Sequence, residues 1–139
     1  MASVREQIIE KMVTLLNAGA IGAQVYRSRT DPISRGQSPA VVISPVADQA
    51  QQVSVPYLDW SLVVHIVVYV RGAAPDTAAD PIVVAINKAL LADMTLGGVA
   101  MTILPVSTHF AFSDTDAELC AATCEYKIEY RTNEVDLTV

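Results

Sequence analysis

Charge is scarce in this chain. Asp, Glu, Lys and Arg make up 17% of its 139 residues, against roughly 25% in an ordinary soluble domain. Either partners cover more of the surface than usual, or alanine and valine swell the apolar share. Cysteine is scarcer still, with Cys120 and Cys124 the only pair. Four positions apart on a strand, their α-carbons stand about 13 Å apart, too far for a disulfide. The spacing is not a usual zinc pattern either, and neither histidine is near it in sequence. Both read as buried structural thiols. No phosphate-cradling glycine loop, nucleophile elbow or paired-histidine helix occurs. No run approaches the roughly 20 apolar residues that span a bilayer. The opening MASVREQ lacks the apolar core of a signal peptide, so a cytoplasmic, reduced setting is expected. The net charge of −6 argues against long-range attraction to nucleic acid.

What is present is apolar patterning. Half the residues are hydrophobic, which suits one core and a single domain over 1–139. The central stretch is 58–71, LDWSLVVHIVVYVR. Trp60, Leu62, Val64, Ile66, Val68 and Val70 share one parity, which on a strand is one face. The other face mixes Val63, Val67 and Tyr69 with polar groups. So many β-branched residues disfavour a helix. About fourteen residues at about 3.3 Å each make an unusually long strand, one that bends or reaches beyond its domain.

Residues 3–17 read as an amphipathic helix with Val4, Ile8, Met12 and Leu15 on its stripe. Ser3 and Glu6 have capping-box spacing, and Gly19 is a natural left-handed stop. Residues 24–29 predict a short strand, then a loop over 30–39. Arg27, Arg29 and Arg35 cluster there, suiting an acidic partner or a phosphate, although an ordinary solvated loop is the simpler explanation. Residues 40–44 form a compact strand that Pro45 ends. Residues 47–56, ADQAQQVSVP, then read as a long connection, either a binding loop or a plain surface loop.

Asp80-Pro81 predicts the start of a second helix, running to about residue 93 or 94. Its interior is apolar almost all round, with only Asn87 and Lys88 clearly polar. Its sides are therefore expected to be covered, within the domain or by a neighbouring chain. Residues 99–106 predict a strand whose Pro105 belongs at an edge or bulge. Residues 107–116 extend it and turn. Residues 117–131 predict the last strand, with Cys120, Cys124, Tyr126, Ile128 and Tyr130 on one face and Glu125, Lys127, Glu129 and Arg131 on a wet one. Residues 132–139 are a possible C-terminal arm or frayed tail. The order α-β-β-β-α-β-β predicts an α+β domain, a mostly antiparallel sheet of about five strands with two helices on one side.

Isolated chemistry is hard to assemble. His65, on the mixed face of the long strand, has no nucleophile or orienting carboxylate in its neighbourhood, and a satisfied structural histidine is the simpler reading. His109 near Asp114 and Asp116 could form a metal or acid–base cluster, although aspartates in turns more often cap their own backbone. Phe110 and Phe112 are expected in the core. Function then resides in surfaces.

The helix VREQIIEKMVTLL, the stretch VYRSRTDPISRGQSPAVVIS, the strand WSLVVHIVVYVRG, and later DPIVVAINKALLAD and ATCEYKIEYRT together resemble the tail terminator, or tail-completion, proteins of long-tailed bacteriophages and prophages. The resemblance implies a structural part rather than an enzyme, with no cofactor. It implies a homo-hexameric ring at the head-proximal end of the tail, formed in the host cytoplasm. Such a ring stops tube polymerisation, meets the tail tube protein and the head–tail connector protein, and lets DNA pass without specific binding; no membrane is involved. Under it, Asp48, Gln49, Gln51, Gln52, Arg29 and Arg35 are candidate partner-contact positions on loops. Val83, Asn87, Leu91 and Pro105 are candidate subunit-interface positions. The alternatives are another head–tail joining or injection-machine component, or a small-molecule-binding or enzymatic dimer with a pocket near His65.

Overall fold

The computed structural model describes residues 2–28, 39–112 and 119–139. The elements are α1 (Val4–Ala18), β1 (Gln24–Arg27), β2 (Ala40–Ser54), β3 (Tyr57–Arg71), α2 (Pro75–Leu91), β4 (Thr102–Phe112) and β5 (Leu119–Asn133). The five strands form one sheet in the order β1-β2-β3-β5-β4. Only the β1–β2 pair is parallel; the other three are antiparallel. The α+β architecture and element order expected from the pattern are those observed.

The period-2 alternation of β3 decides which face is buried. Leu62, Val64, Ile66 and Val68 are wholly covered, as are Ile128, Ala122 and Cys120 on β5. Against this face lie Ile8, Ile9, Met12 and Leu16 of α1 and Ile82, Ile86 and Leu90 of α2. Fully burying side chains of this size stabilises by about 1.5–3 kcal/mol each, so the sheet face and the two helical stripes carry the fold.

Helix boundaries follow local chemistry, with three departures. Ser3 caps α1, its Oγ accepting from the Glu6 amide at 3.2 Å. Glu6 does not complete the capping box, because its carboxylate is taken by the Arg27 guanidinium on β1. Gly19 is not the left-handed residue; it stays right-handed and Ala20 takes φ 49°. What Gly19 supplies is room, since a Cβ there would lie 3.0 Å from the Ala89 Cβ of α2. α2 starts at Pro75 rather than at Asp80, with Pro81 inside the helix. Pro75 presets the first turn, and Pro81 lies on the exposed side, where water can satisfy the carbonyl its missing amide leaves open.

The largest departure is β2. Pro45 does not end it, and residues 47–56 are not a loop. The strand runs on to Ser54, paired with β3 from Ala40↔Tyr69 to Ser54↔Tyr57, with register shifts at Pro45/Ala47 and Gln52/Ser54. β2 and β3 are thus one hairpin of two 15-residue strands, turning at a cis Val55–Pro56 bond. Beyond Ser44 nearly all of β2 is exposed, so this part projects as an arm past the helices. Pro105 does sit on an edge strand beside a register shift, as its missing donor requires. Residues 133–139 fold back: the Val4 amide donates to the Leu137 carbonyl at 2.8 Å and the Glu134 amide to the Pro56 carbonyl at 2.8 Å.

Candidate interaction surfaces

The arm is fastened at its root by side chains that sequence reading scattered. Asp48, expected on a loop, is on the strand and its side chain is 9% exposed. Its Oδ2 accepts from the Tyr130 hydroxyl of β5 and lies 3.5 Å from Arg5 Nη1 of α1. Its Oδ1 is buried with no hydrogen-bond partner among the described residues. Burial pushes the Asp48 carboxyl above its ordinary range, against the pull of Tyr130 and Arg5. The Tyr130 hydroxyl is pushed far up, by burial first and by the facing carboxylate second. Alongside, Trp60 stacks on Tyr130 with ring centroids 6.1 Å apart and donates from Nε1 to Thr132 Oγ1 at 2.9 Å. Gln52 Nε2 donates to Glu134 Oε2 at 2.6 Å.

Gln49 and Gln51 line a concavity of about 450 Å³, with Asp59, Trp60, Ser61, Met101 and Glu129. Its two carboxylates, Asp59 and Glu129, are each paired with a cation outside the lining, Arg131 and Lys127. Outside it, Arg131 grips Asp59 through Nε at 2.6 Å and Nη2 at 3.2 Å. Asp59 and Arg131 face each other in the register, which strengthens β3–β5 pairing on the open face. Arg29 and Arg35 lie outside the described residues, as do Asp114 and Asp116.

A second groove, about 240 Å³, opens between α2 and β4. Val83, Val84 and Asn87 form one wall; Pro105, Ser107 and Thr108 form the other, with Tyr126 below. Three of the four residues marked as an interface from sequence (Val83, Asn87 and Pro105) therefore meet at one place. Leu91 does not line it and packs partly buried against the core. Tyr126 donates to Asn87 Oδ1 at 3.1 Å, which explains a polar residue on an otherwise apolar helix. α2 is not covered all round: Val84 is 60% exposed. Nor are Phe110 and Phe112 in the core. They are 49% and 56% exposed, although they pair with Ala122 and Cys120 on the helix-side face. The sheet extends laterally past the cover of α2, and strand parity alone cannot reveal where a helix stops.

His65 does have a carboxylate, one supplied across the ladder: its Nε2 stands 3.0 Å from Glu125 Oε1. Neither His65 nor His109 lines either concavity. Cys120 and Cys124 are free and buried, and burial pushes both thiols up. Among the described residues no three His, Cys, Asp or Glu side chains converge to hold a metal. What the structure displays is an arm, a groove and exposed apolar strand edges.

Comparison with known proteins gives the family. A chain in the solved virion of a native gene transfer agent particle shares the fold with a TM-score of 0.58 at 12% identity, over 94% of this chain and 92% of that one. Among curated proteins, none matches the sequence. The family model described as phage minor tail protein U matches residues 1–130. With residues 1–130 matched, nearly the whole chain, the protein belongs to the phage minor tail protein U family.

Proposed function

We propose that this tail protein acts as a tail terminator: a homo-hexameric ring at the head-proximal end of the tail that halts tube polymerisation and presents a surface to the head–tail connector. Family membership supports a structural role in the tail. The observation that carries the finer reading is that the chain exposes two unlike apolar surfaces on opposite sides of its sheet. On one side lie the α2–β4 groove and the β4 edge, with Leu104, Val106, Phe110 and Phe112 exposed; on the other lies the β2 arm with Val46 and Val53 exposed. A subunit with two different sticky flanks associates head to tail, and such association closes into a ring when the rotation permits. The net charge of −6 suits a channel through which DNA moves without adhering. Gln49, Gln51 and Gln52 on the arm, with Arg29 and Arg35, remain the candidate contacts to tube or connector.

Negative-stain microscopy across a concentration series, with solution mass from light scattering, tests this. Six-fold rings, and overlong tails when the protein is withheld from assembly, are the expected outcomes. A dimer that persists at all concentrations, with tails of normal length in its absence, would overturn it.

A further inference from the structure

Both flanks of the sheet end in open backbone, and the two openings match. β1 pairs with β2 only at Ala40–Ile43. From Ser44 to Ser54 the outer rim of β2 has no strand beside it among the described residues. On the opposite flank β4 pairs only with β5. Long unpaired rims are hazardous unless charge, bulges or cover protect them. β4, TILPVSTHFAF, carries no Asp, Glu, Lys or Arg. The β2 rim carries Asp48 alone, held inward by Tyr130 and Arg5. Each rim has one proline beside a register shift, which removes a single donor and leaves the others free.

Resting on the ring reading above, we infer that β4 of one copy pairs with the open β2 rim of the next copy, antiparallel and four residues out of step, so that the sheets of successive copies run on as one. The register supplies the lengths. The β2 rim spans the levels of His65 to Tyr57 on β3, nine residues (65 − 57 + 1). Followed through β5, Thr102 to Phe112 of β4 spans the levels of Ser61 to Val70, ten (70 − 61 + 1), of which the nine from Thr102 to Ala111 match the rim. The two sets of levels are offset by four (61 − 57). An even offset keeps every side chain on its own face; an odd one would invert them all. The directions are also right. β3 opposes β2, β5 opposes β3 and β4 opposes β5, so β4 meets the next β2 antiparallel.

Phe110, otherwise uncovered, then falls beside Pro45 of the next copy, and Gln49 of the next copy falls opposite Ser107. β1 of the next copy follows in line past Ala111, and Phe112, whose level is that of Ile43 and Arg27, leaves the pairing. A shift of four residues across four strands is about 13 Å against about 19 Å, an inclination of roughly 35°, within the range at which closed sheets form. At about 50 Å² per residue over both rims, each junction buries on the order of 1,000 Å², the lower bound for a specific interface.

Gln49→Cys and Ser107→Cys test the pairing in the full chain, since cross-strand partners bring β-carbons within disulfide reach. Equimolar mixing of the two single variants under mild oxidation is expected to give a covalent dimer. Neither variant alone should cross-link, and the double variant should give a ladder ending at a closed hexamer. Self-linking of Ser107→Cys, meaning β4 against β4, overturns the inference. Rings by microscopy without a mixed dimer overturn it too and leave the ring reading standing. Neither rings nor mixed dimer at any concentration overturns both.

Discussion

Tyr130 on β5 donates a hydrogen bond from its hydroxyl to the carboxylate of Asp48, 82 residues away on β2, although β3 lies between the two strands. The bond pins the root of the arm over the sheet. Removing the donor leaves a buried carboxylate with Arg5 as its remaining partner. Tyr130→Phe is therefore expected to cost about 1–3 kcal/mol, read as a lowered urea midpoint at neutral pH.

The same carboxyl predicts a pH dependence. Burial raises the Asp48 pKa in the folded chain, so the folded state binds its proton more tightly than the unfolded state does. Its contribution to stability therefore grows as pH falls through the raised value. Glu6 acts in the opposite sense: the hydrogen bond from Arg27 lowers its pKa, and its contribution is lost on acidification. The stability of the natural chain minus that of Asp48→Asn should rise from pH 7 towards pH 4. A flat difference would mean that the carboxyl is solvated.

At the start of α1, the cap and the ion pair should separate. Ser3→Ala removes the acceptor for the Glu6 amide and is expected to cost about 1 kcal/mol. Arg27→Ala breaks a bidentate pair whose two side chains are 33% and 36% exposed, so about 0.5 kcal/mol is expected, falling with added salt. Denaturation in low and high salt distinguishes the two.

Val84 tests the groove. It is 60% exposed, so Val84→Glu should leave the urea midpoint of the dispersed chain nearly unchanged, within about 0.5 kcal/mol. The same change places a charge on the apolar wall facing Pro105, and loss of assembly is expected by light scattering.

The thiols should be silent. Cys120 and Cys124 are buried with raised pKa values, and only the thiolate reacts. Ellman's reagent should titrate almost none in the native chain and both in denaturant.

Much of the architecture could be read from residue pattern, because β3, β5 and α1 bury one regular face each and their alternation or stripe shows it. The outer half of β2 could not. ADQAQQVS has neither alternation nor β-branched density, and it is a strand because β3 offers it a partner, a tertiary cause that propensity does not record. The true start of α2 is masked because Asp80-Pro81 imitates a helix start. Of the site, Val83, Asn87 and Pro105 were found because an apolar helix and an edge proline each violate a local rule. Asp48–Tyr130 and His65–Glu125 join strands distant in sequence, and only the register unites them. The exposure of Phe110 and Phe112 is not legible because alternation tells which face a residue joins and not whether anything lies above it.

β3 is buried from Leu62 to Val70 on its inner face and only partly covered from Leu58 to Ser61. One strand therefore has two stabilities. Its inner amides are expected to open only with the core, and those towards the Val55–Pro56 turn to open locally and exchange hydrogen sooner. The arm can thus adjust its twist to whatever it meets, at little thermodynamic cost, while the half bearing the helices keeps its shape.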